Sequence, residues 1–343
     1  MYQAKVIADS ISVQSPCVRL TTLEVTIPRI VLAELNTHRK LSRNSASSRA
    51  IPVAKLLEEV EQRPFVPDFW GMNDKGMSPN QQIDDRDTPH AKAAWLEARN
   101  AAVAAANKLI GLGVHKQTAN RLLEPFVWHK VIVSATDWAN FLALRTAPEA
   151  QHEIRQTALA IKAAIEASVP RPCLSDDWHM PLLSDAERYQ KRHRTFWCMV
   201  SAARCARVSY LRHDTFRDSY EGVRDDYALA KRLASAGHYS PFEHVARPLP
   251  HDQRKLLSKL LPSGSEDGDA FNISGNYRGW IQLRKMFPLE HDWSQTDDSL
   301  DLSGHQRIGS EMEAYLRPDE ALEFVRNVPV IIPTDWPFST LKH

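Results

Sequence analysis

Proline decides where regular structure can run in this chain. Prolines at 28, 64, 67, 79, 170 and 172 each fix a backbone angle and remove an amide donor, so they end elements, while Pro89 and Pro148 suit a helix's first turn. Between these stops the side-chain period says which element fits. Leu23, Val25 and Ile27 alternate with Thr22, Glu24 and Thr26, the pattern of a half-buried strand that Pro28 stops. A helix is expected from Arg29 to Leu35, and another from about Pro52 to Gln62. Ser42 to Ser48, dense in Ser and Asn, reads as a loop whose side chains and amides point at something. Proline and glycine break residues 64 to 86, where Phe65, Phe69 and Trp70 predict a packed loop.

Further on, Thr88 offers a capping hydroxyl to an Ala-rich helix that runs to Gly111 or Gly113. Val127 to Val133 reads as an apolar strand, followed by helices at Asp137–Leu144 and from Pro148 through Ala167. Ser184-Asp185-Ala186-Glu187 is a capping box opening a helix expected to reach Ala206. Val223–Ala236 reads as a helix that Gly237 stops. Pro262–Asp269 is expected to be mobile or a lid, and the stretch beyond Asp292 carries no readable chemistry.

Charge and cysteine content narrow the function classes. Lys and Arg number 43 against 42 Asp and Glu, so bulk charge exerts no long-range pull on nucleic acid or membrane, and any anion must be held by a local arginine cluster. No run approaches the roughly 18 apolar residues of a membrane span, and no signal-peptide core follows Met1. A soluble, cytoplasmic protein is expected. Cys17, Cys173, Cys198 and Cys205 form no CxxC pair, which argues against a zinc site or a disulfide framework; no metal is expected.

The arginine cluster is present. Thr37-His38-Arg39-Lys40-Leu41-Ser42-Arg43-Asn44-Ser45-Ala46-Ser47-Ser48-Arg49 sets guanidiniums, hydroxyls and amides within one short segment, a donor set suited to a nucleotide phosphate and a flavin side by side. Read blandly, it is a solvated Ser/Arg loop after a helix. The segment resembles the RHRxxSxNxxSxR signature of flavin-dependent thymidylate synthases at His38, Arg39, Ser42, Asn44, Ser47 and Arg49. It departs from that signature at Thr37, where the family has Arg, and at Ser45, where an acidic residue is frequent. Arg192-His193-Arg194 also begins RHR, but Trp197 and Met199 fall where Ser and Asn belong.

Two further stretches add to the resemblance. Asn140-Phe141-Leu142-Ala143-Leu144-Arg145, with Gln151 to Arg155 behind it, is similar to a family segment in which the Asn contacts flavin and the Arg polarises the pyrimidine. Uracil becomes a carbon nucleophile only when negative charge on its amide edge is stabilised, and a fixed guanidinium does this without proton transfer. Taken alone, Arg145 would read as a helix-end arginine on last-turn carbonyls. Asn120-Arg121-Leu122-Leu123-Glu124-Pro125 resembles the family's Arg-x-x-Leu-Pro with a slip of one residue. Ala206-Arg207-Val208-Ser209-Tyr210 and Ser240-Pro241-Phe242-Glu243-His244 are similar to motifs that ordinarily precede the arginine signature. Here they follow it, as in a circular permutation.

The resemblance covers about residues 17–170 and 198–290, and implies a phage-type relative of that family. It implies an α/β (α+β) fold with a central, mostly antiparallel sheet flanked by helices, one domain over residues 1–290, an extension over 291–343, and a homotetramer. The implied reaction is one-carbon transfer from methylenetetrahydrofolate to the 5-position of dUMP, giving dTMP, with FAD as cofactor and NADPH as reductant. Arg145 is implied as catalytic. Arg49, Ser47, Ser48, Arg121 and Glu34 are implied for substrate, and His38, Arg39, Ser42, Asn44, Asn140, His244 and Ser209 for cofactor. Asn276 to Arg284 has no clean counterpart. Gln282 and Arg284, for substrate, and Arg278, for cofactor, are candidates to replace what Thr37 lost; the bland alternative is a basic amphipathic helix with Trp280 in the core. Rival readings are a hydroxymethylase acting on dUMP or dCMP, a nucleic-acid-binding protein, and an inactive scaffold.

Overall fold

The computed structural model describes residues 1–13, 17–76, 78–79, 81–188, 194–210, 219–249 and 275–287. The expected mobile stretch at 262–269, the tail beyond 292 and residues 192–193 of the second RHR string lie outside them. The chain divides into two compact units, one holding residues 1–11, 17–172 and 205–211, the other 12–16, 173–204 and 212–343.

In the first unit, strands β1 (Gln3–Ser12) and β2 (Arg19–Pro28) lead through a 3-10 turn at Arg29–Val31 into helix α1 (Leu32–Asn36). Strand β3 (Ser42–Ser45) and helices α2 (Val53–Gln62), α3 (Thr88–Gly111) and α4 (Lys116–Ala119) follow. A 3-10 segment over Asn120–Phe126 then enters strand β4 (Trp128–Ala135), and helices α5 (Ala139–Arg145) and α6 (His152–Ala167) precede strand β5 (Arg171–Cys173). The sheet order is β3-β4-β2-β1-β5, with β1, β2, β3 and β4 paired antiparallel. This is the α/β architecture with a central antiparallel sheet that the resemblance implied.

Alternation explains which sheet face is covered. Leu23, Val25 and Ile27 on β2 join Val131, Val133 and Ala135 on β4, and pack against Leu35 of α1, Phe141 of α5, and Ile154, Ala158 and Ile161 of α6. The α6 residues recur at helical spacing, so one stripe of that helix is buried. Each Leu, Val, Ile or Phe side chain among them contributes about 1.5–3 kcal/mol on burial. Arg19 ties the end of α6 to the sheet: it pairs with Asp9 at 2.6 Å and donates to the carbonyls of Ile165 and Ser168 at 2.8 and 3.0 Å. A second core joins Leu56 and Val60 of α2, Val103 and Ala106 of α3, and Leu123 and Phe126. The loop after α2 packs as expected, with Phe65 buried and its carbonyl accepting from Trp95 Nε1 at 2.9 Å.

Two local expectations need correction. The loop predicted over Ser42–Ser48 is a strand for its first four residues, because β4 offers an open edge: Ser42 to Ser45 pair with Ser134 to Val131, and the Ala46 amide donates to Lys130 O at 2.9 Å. Pairing of an edge backbone outweighs the weak strand propensity of Ser and Asn. At α3 the cap position falls on Asp87, with no side-chain cap bond, and Thr88 Oγ1 has no partner.

The second unit carries helices α7 (Asp185–Arg188), α8 (Arg194–Ala206) and α9 (Tyr220–Ser235) and a two-stranded antiparallel ladder of β6 (Ala246–Pro248) and β7 (Trp280–Gln282). The capping box forms: the Ser184 amide donates to Glu187 Oε2 at 2.7 Å and the Glu187 amide to Ser184 Oγ at 3.3 Å. Gly237, at φ 72°, follows α9. The amphipathic-helix alternative for 276–284 is replaced by β7 and a short 3-10 turn, Leu283–Met286, although Trp280 is in the core as expected.

Candidate active site

The arginine signature starts at the C-terminus of α1, runs along β3 and ends in a turn at 48–50. A four-residue strand is about 10 Å long. The signature therefore has two ends with different partners.

At the first end, Arg145, the last residue of α5, donates from Nε to His38 Nε2 at 2.9 Å and from Nη2 to Thr37 Oγ1 at 3.3 Å. Thr37 Oγ1 itself donates to Glu34 O at 2.7 Å, so its lone pair is turned to the arginine. An imidazole nitrogen that accepts carries no proton, which places the His38 hydrogen on Nδ1. Burial, then the charges of Arg145 and Arg43, lower the His38 pKa from its ordinary value and favour this neutral form. Phe141 meets the His38 ring edge to face at 5.0 Å, and Arg43 Nη1 donates to the His38 carbonyl at 2.8 Å. Two N–H groups of Arg145 are thereby spent, and the others carry no protein partner among the described residues. Arg39 is exposed on the turn beside His38, Asn140 is exposed in the first turn of α5, Ser42 is buried and Asn44 half-buried on β3. Glu34 keeps one carboxylate oxygen, Oε2, buried without a partner.

At the second end, the Ser47 amide donates to Ser209 Oγ at 2.7 Å. Ser209 lies in a 3-10 turn at Val208–Tyr210, so the Ala-Arg-Val-Ser-Tyr segment sits against the signature although it is 162 residues away in sequence. Ser48 Oγ donates to Glu124 Oε1 at 2.7 Å, and Arg121 Nη1 donates to the same oxygen at 2.7 Å. Arg29 approaches Glu124 Oε2 at 3.5 Å. Asn120, fully buried, clamps the turn by donating to Ser48 O at 2.6 Å and Ile51 O at 3.1 Å, leaving its Oδ1 without a partner. Arg49 is exposed on this turn. Arg121 is exposed and paired with Glu124 three residues on.

The second unit holds the remaining candidates. His244 ends the Ser240–His244 turn and is fully buried, which pushes its pKa down to about 3. Arg284 is ion-paired with Glu243 of the same motif. Gln282 is buried and donates to Asn276 Oδ1 at 2.8 Å, packed so closely on Gly275 that a Cβ there would meet its Oε1 at 2.1 Å. Gln282 and Arg284 are therefore engaged internally, whereas Arg278 is exposed.

Sequence reasoning did not single out Asn120, Glu124 or Arg43. Glu124 had a local signal: an acid three residues after Arg121 in a helical segment forms a pair. Asn120 and Arg43 act on carbonyls, which leave no mark in side-chain pattern. Among the described residues no group of three or more His, Cys, Asp or Glu could hold a metal, and no helix is long and apolar enough to cross a membrane.

Antiparallel sheet, helical cover and an arginine-rich strand edge together define an α/β protein whose candidate site lies at that edge. Residues 19–171, a little under half of the chain, match the model of the thymidylate synthase complementing protein family. Among solved structures the chain is similar to a UMP/dUMP methylase, PolB, from Streptomyces cacaoi bound with 5-Br UMP. The identity is 17% over 48% of this chain and 88% of that one, with a TM-score of 0.41. The same methylase bound with 5-Br dUMP gives 21% identity over 43% and 66%, with a TM-score of 0.37. No curated protein matches the sequence.

Proposed function

We propose that this protein is a nucleotide-modifying one-carbon transferase, moving the carbon of methylenetetrahydrofolate to the 5-position of dUMP with FAD as cofactor and NADPH as reductant. The observation that carries the reading is the bond from Arg145 Nε to His38 Nε2, which joins two motifs 107 residues apart. The match of residues 19–171 to the thymidylate synthase complementing protein family supports the class.

Arg145 is the catalytic residue in this reading. With Nε fixed by His38, its outer N–H groups stabilise negative charge on the uracil amide edge, and the planar guanidinium needs no reorganisation to do so. Arg49, Ser47, Ser48, Arg121 and Glu34 serve the nucleotide. The donor set fits a flavin by its chemistry: exposed Arg39 and Asn140, with His38, Ser42, Asn44 and Ser209 around the same strand edge, suit an anionic pyrophosphate and a polar ring. When bound, FAD would supply the redox chemistry that completes the methyl group. In this reading the catalytic part spans residues 1–290 of a homotetramer, with 291–343 as an extension.

Thr37 favours one second reading. A hydroxyl stands on Arg145 where the family has a guanidinium, which leaves room for a hydroxymethyl product from dUMP or dCMP. The test is turnover of the purified protein with methylenetetrahydrofolate and NADPH, with mass spectrometry of the nucleotide. A methyl product from dUMP supports the first reading, a hydroxymethyl product the second, and no nucleotide product overturns both.

A further inference from the structure

Three donors converge on one carboxylate beside the signature turn. Ser48 Oγ and Arg121 Nη1 both stand 2.7 Å from Glu124 Oε1, and Arg29 Nη2 stands 3.5 Å from Oε2. A hydroxyl and two guanidiniums around one anionic group are the donors a phosphate monoester takes. The cationic surplus is local, since Arg49 rides on the same turn and Lys116 Nζ donates to Ala50 O at 3.1 Å. We propose that Glu124 is the resident counter-ion of a phosphate site formed by Ser48, Arg121 and Arg29, and that an incoming nucleotide phosphate takes its place. The proposal rests on the reading that this strand edge binds a nucleotide.

Two features make the exchange physically open. The Arg121 side chain is 51% exposed, and exposed pairs contribute only about 0.2–1 kcal/mol, so a dianion competes for Arg121 at little cost. The turn is anchored independently, because buried Asn120 holds the carbonyls of Ser48 and Ile51. Asn120 thereby keeps the turn in place when Ser48 gives up its bond to Glu124. It lies in the Asn120–Phe126 segment, three residues after the arginine it occupies.

The test is calorimetric titration of the full-length protein as purified with dUMP and, separately, inorganic phosphate. Wild type is compared with Glu124→Gln, Arg121→Gln and the double variant. Glu124→Gln should bind both ligands roughly two- to fivefold more tightly, Arg121→Gln should bind both more weakly, and the gain should vanish in the double variant. Unchanged or weaker phosphate binding in Glu124→Gln overturns the proposal, as does a gain that persists without Arg121. If Glu124→Gln does not fold, Glu124→Asp keeps the charge but shortens its reach, and an intermediate gain is expected; no gain counts against the idea. Tighter phosphate with no dUMP binding in any variant upholds Glu124's role and sinks the nucleotide reading instead.

Discussion

His38 and Arg145 show how an arginine can be fixed without being neutralised. A carboxylate in the place of His38 would hold Arg145 more strongly and would cancel the charge that the proposed chemistry uses. A neutral imidazole holds Nε and leaves the charge intact. Arg145→Lys keeps the charge and loses the fork, so kcat should fall about 100- to 1,000-fold while dUMP affinity changes far less, a split that steady-state kinetics reads directly. Acid should also uncouple the pair. Below the lowered His38 pKa the ring gains a proton, can no longer accept, and repels Arg145. The acid limb of kcat should therefore follow His38, and should flatten in His38→Gln, whose amide oxygen accepts at every pH. Both residues were legible in the sequence as members of separate motifs. Their bond was not, because nothing in local pattern encodes a contact across 107 positions.

Helices and strands were legible to the extent that their signals were local. The capping box at Ser184 and the glycine stop after α9 formed as read, each depending on neighbours a few residues apart. β3 was missed because its strand character comes from the open edge of β4 and not from Ser42 to Ser45 themselves. The buried ion cluster of the second unit was invisible for the same reason. Arg204 of α8 donates to Glu187 at 2.7 and 2.8 Å, to Asp226 of α9 at 3.0 Å and to Leu182 O at 2.9 Å, and only 2% of its side chain is exposed. Burial works to raise the Glu187 pKa, but the Arg204 bonds and the Ser184 donors outweigh it and hold the carboxyl below its ordinary value. Arg204→Ala would strand two carboxylates in the core, and should cost about 3–5 kcal/mol in denaturant unfolding. A loss below 1 kcal/mol would mean that the cluster is solvated in the folded protein.

Across the whole chain, acid should erode stability in both units. His129, in the first, and His244, in the second, are each pushed from 6.5 to about 3, by burial, with the Arg29 charge adding to the effect at His129. Between those values the unfolded chain binds more protons than the folded one, so stability is complete above pH 6.5 and declines as pH falls below it. From pH 7 to 5, each ring should cost about 2 kcal/mol, seen as a falling denaturation midpoint. Replacing either histidine with Gln should shallow the decline. Ala-Arg-Val-Ser-Tyr was legible as a motif. Its place beside the signature was not, because the bond from the Ser47 amide to Ser209 spans 162 positions and leaves no local pattern. In the proposed function Arg145 and the arginine signature serve one nucleotide site beside a flavin. The direct measurement is the visible absorbance of the purified protein titrated with dUMP. A flavin band that shifts with dUMP in wild type, and shifts little or not at all in Arg145→Ala, is the predicted result; a protein that carries no flavin even after incubation with FAD, or a band indifferent to dUMP, would contradict it.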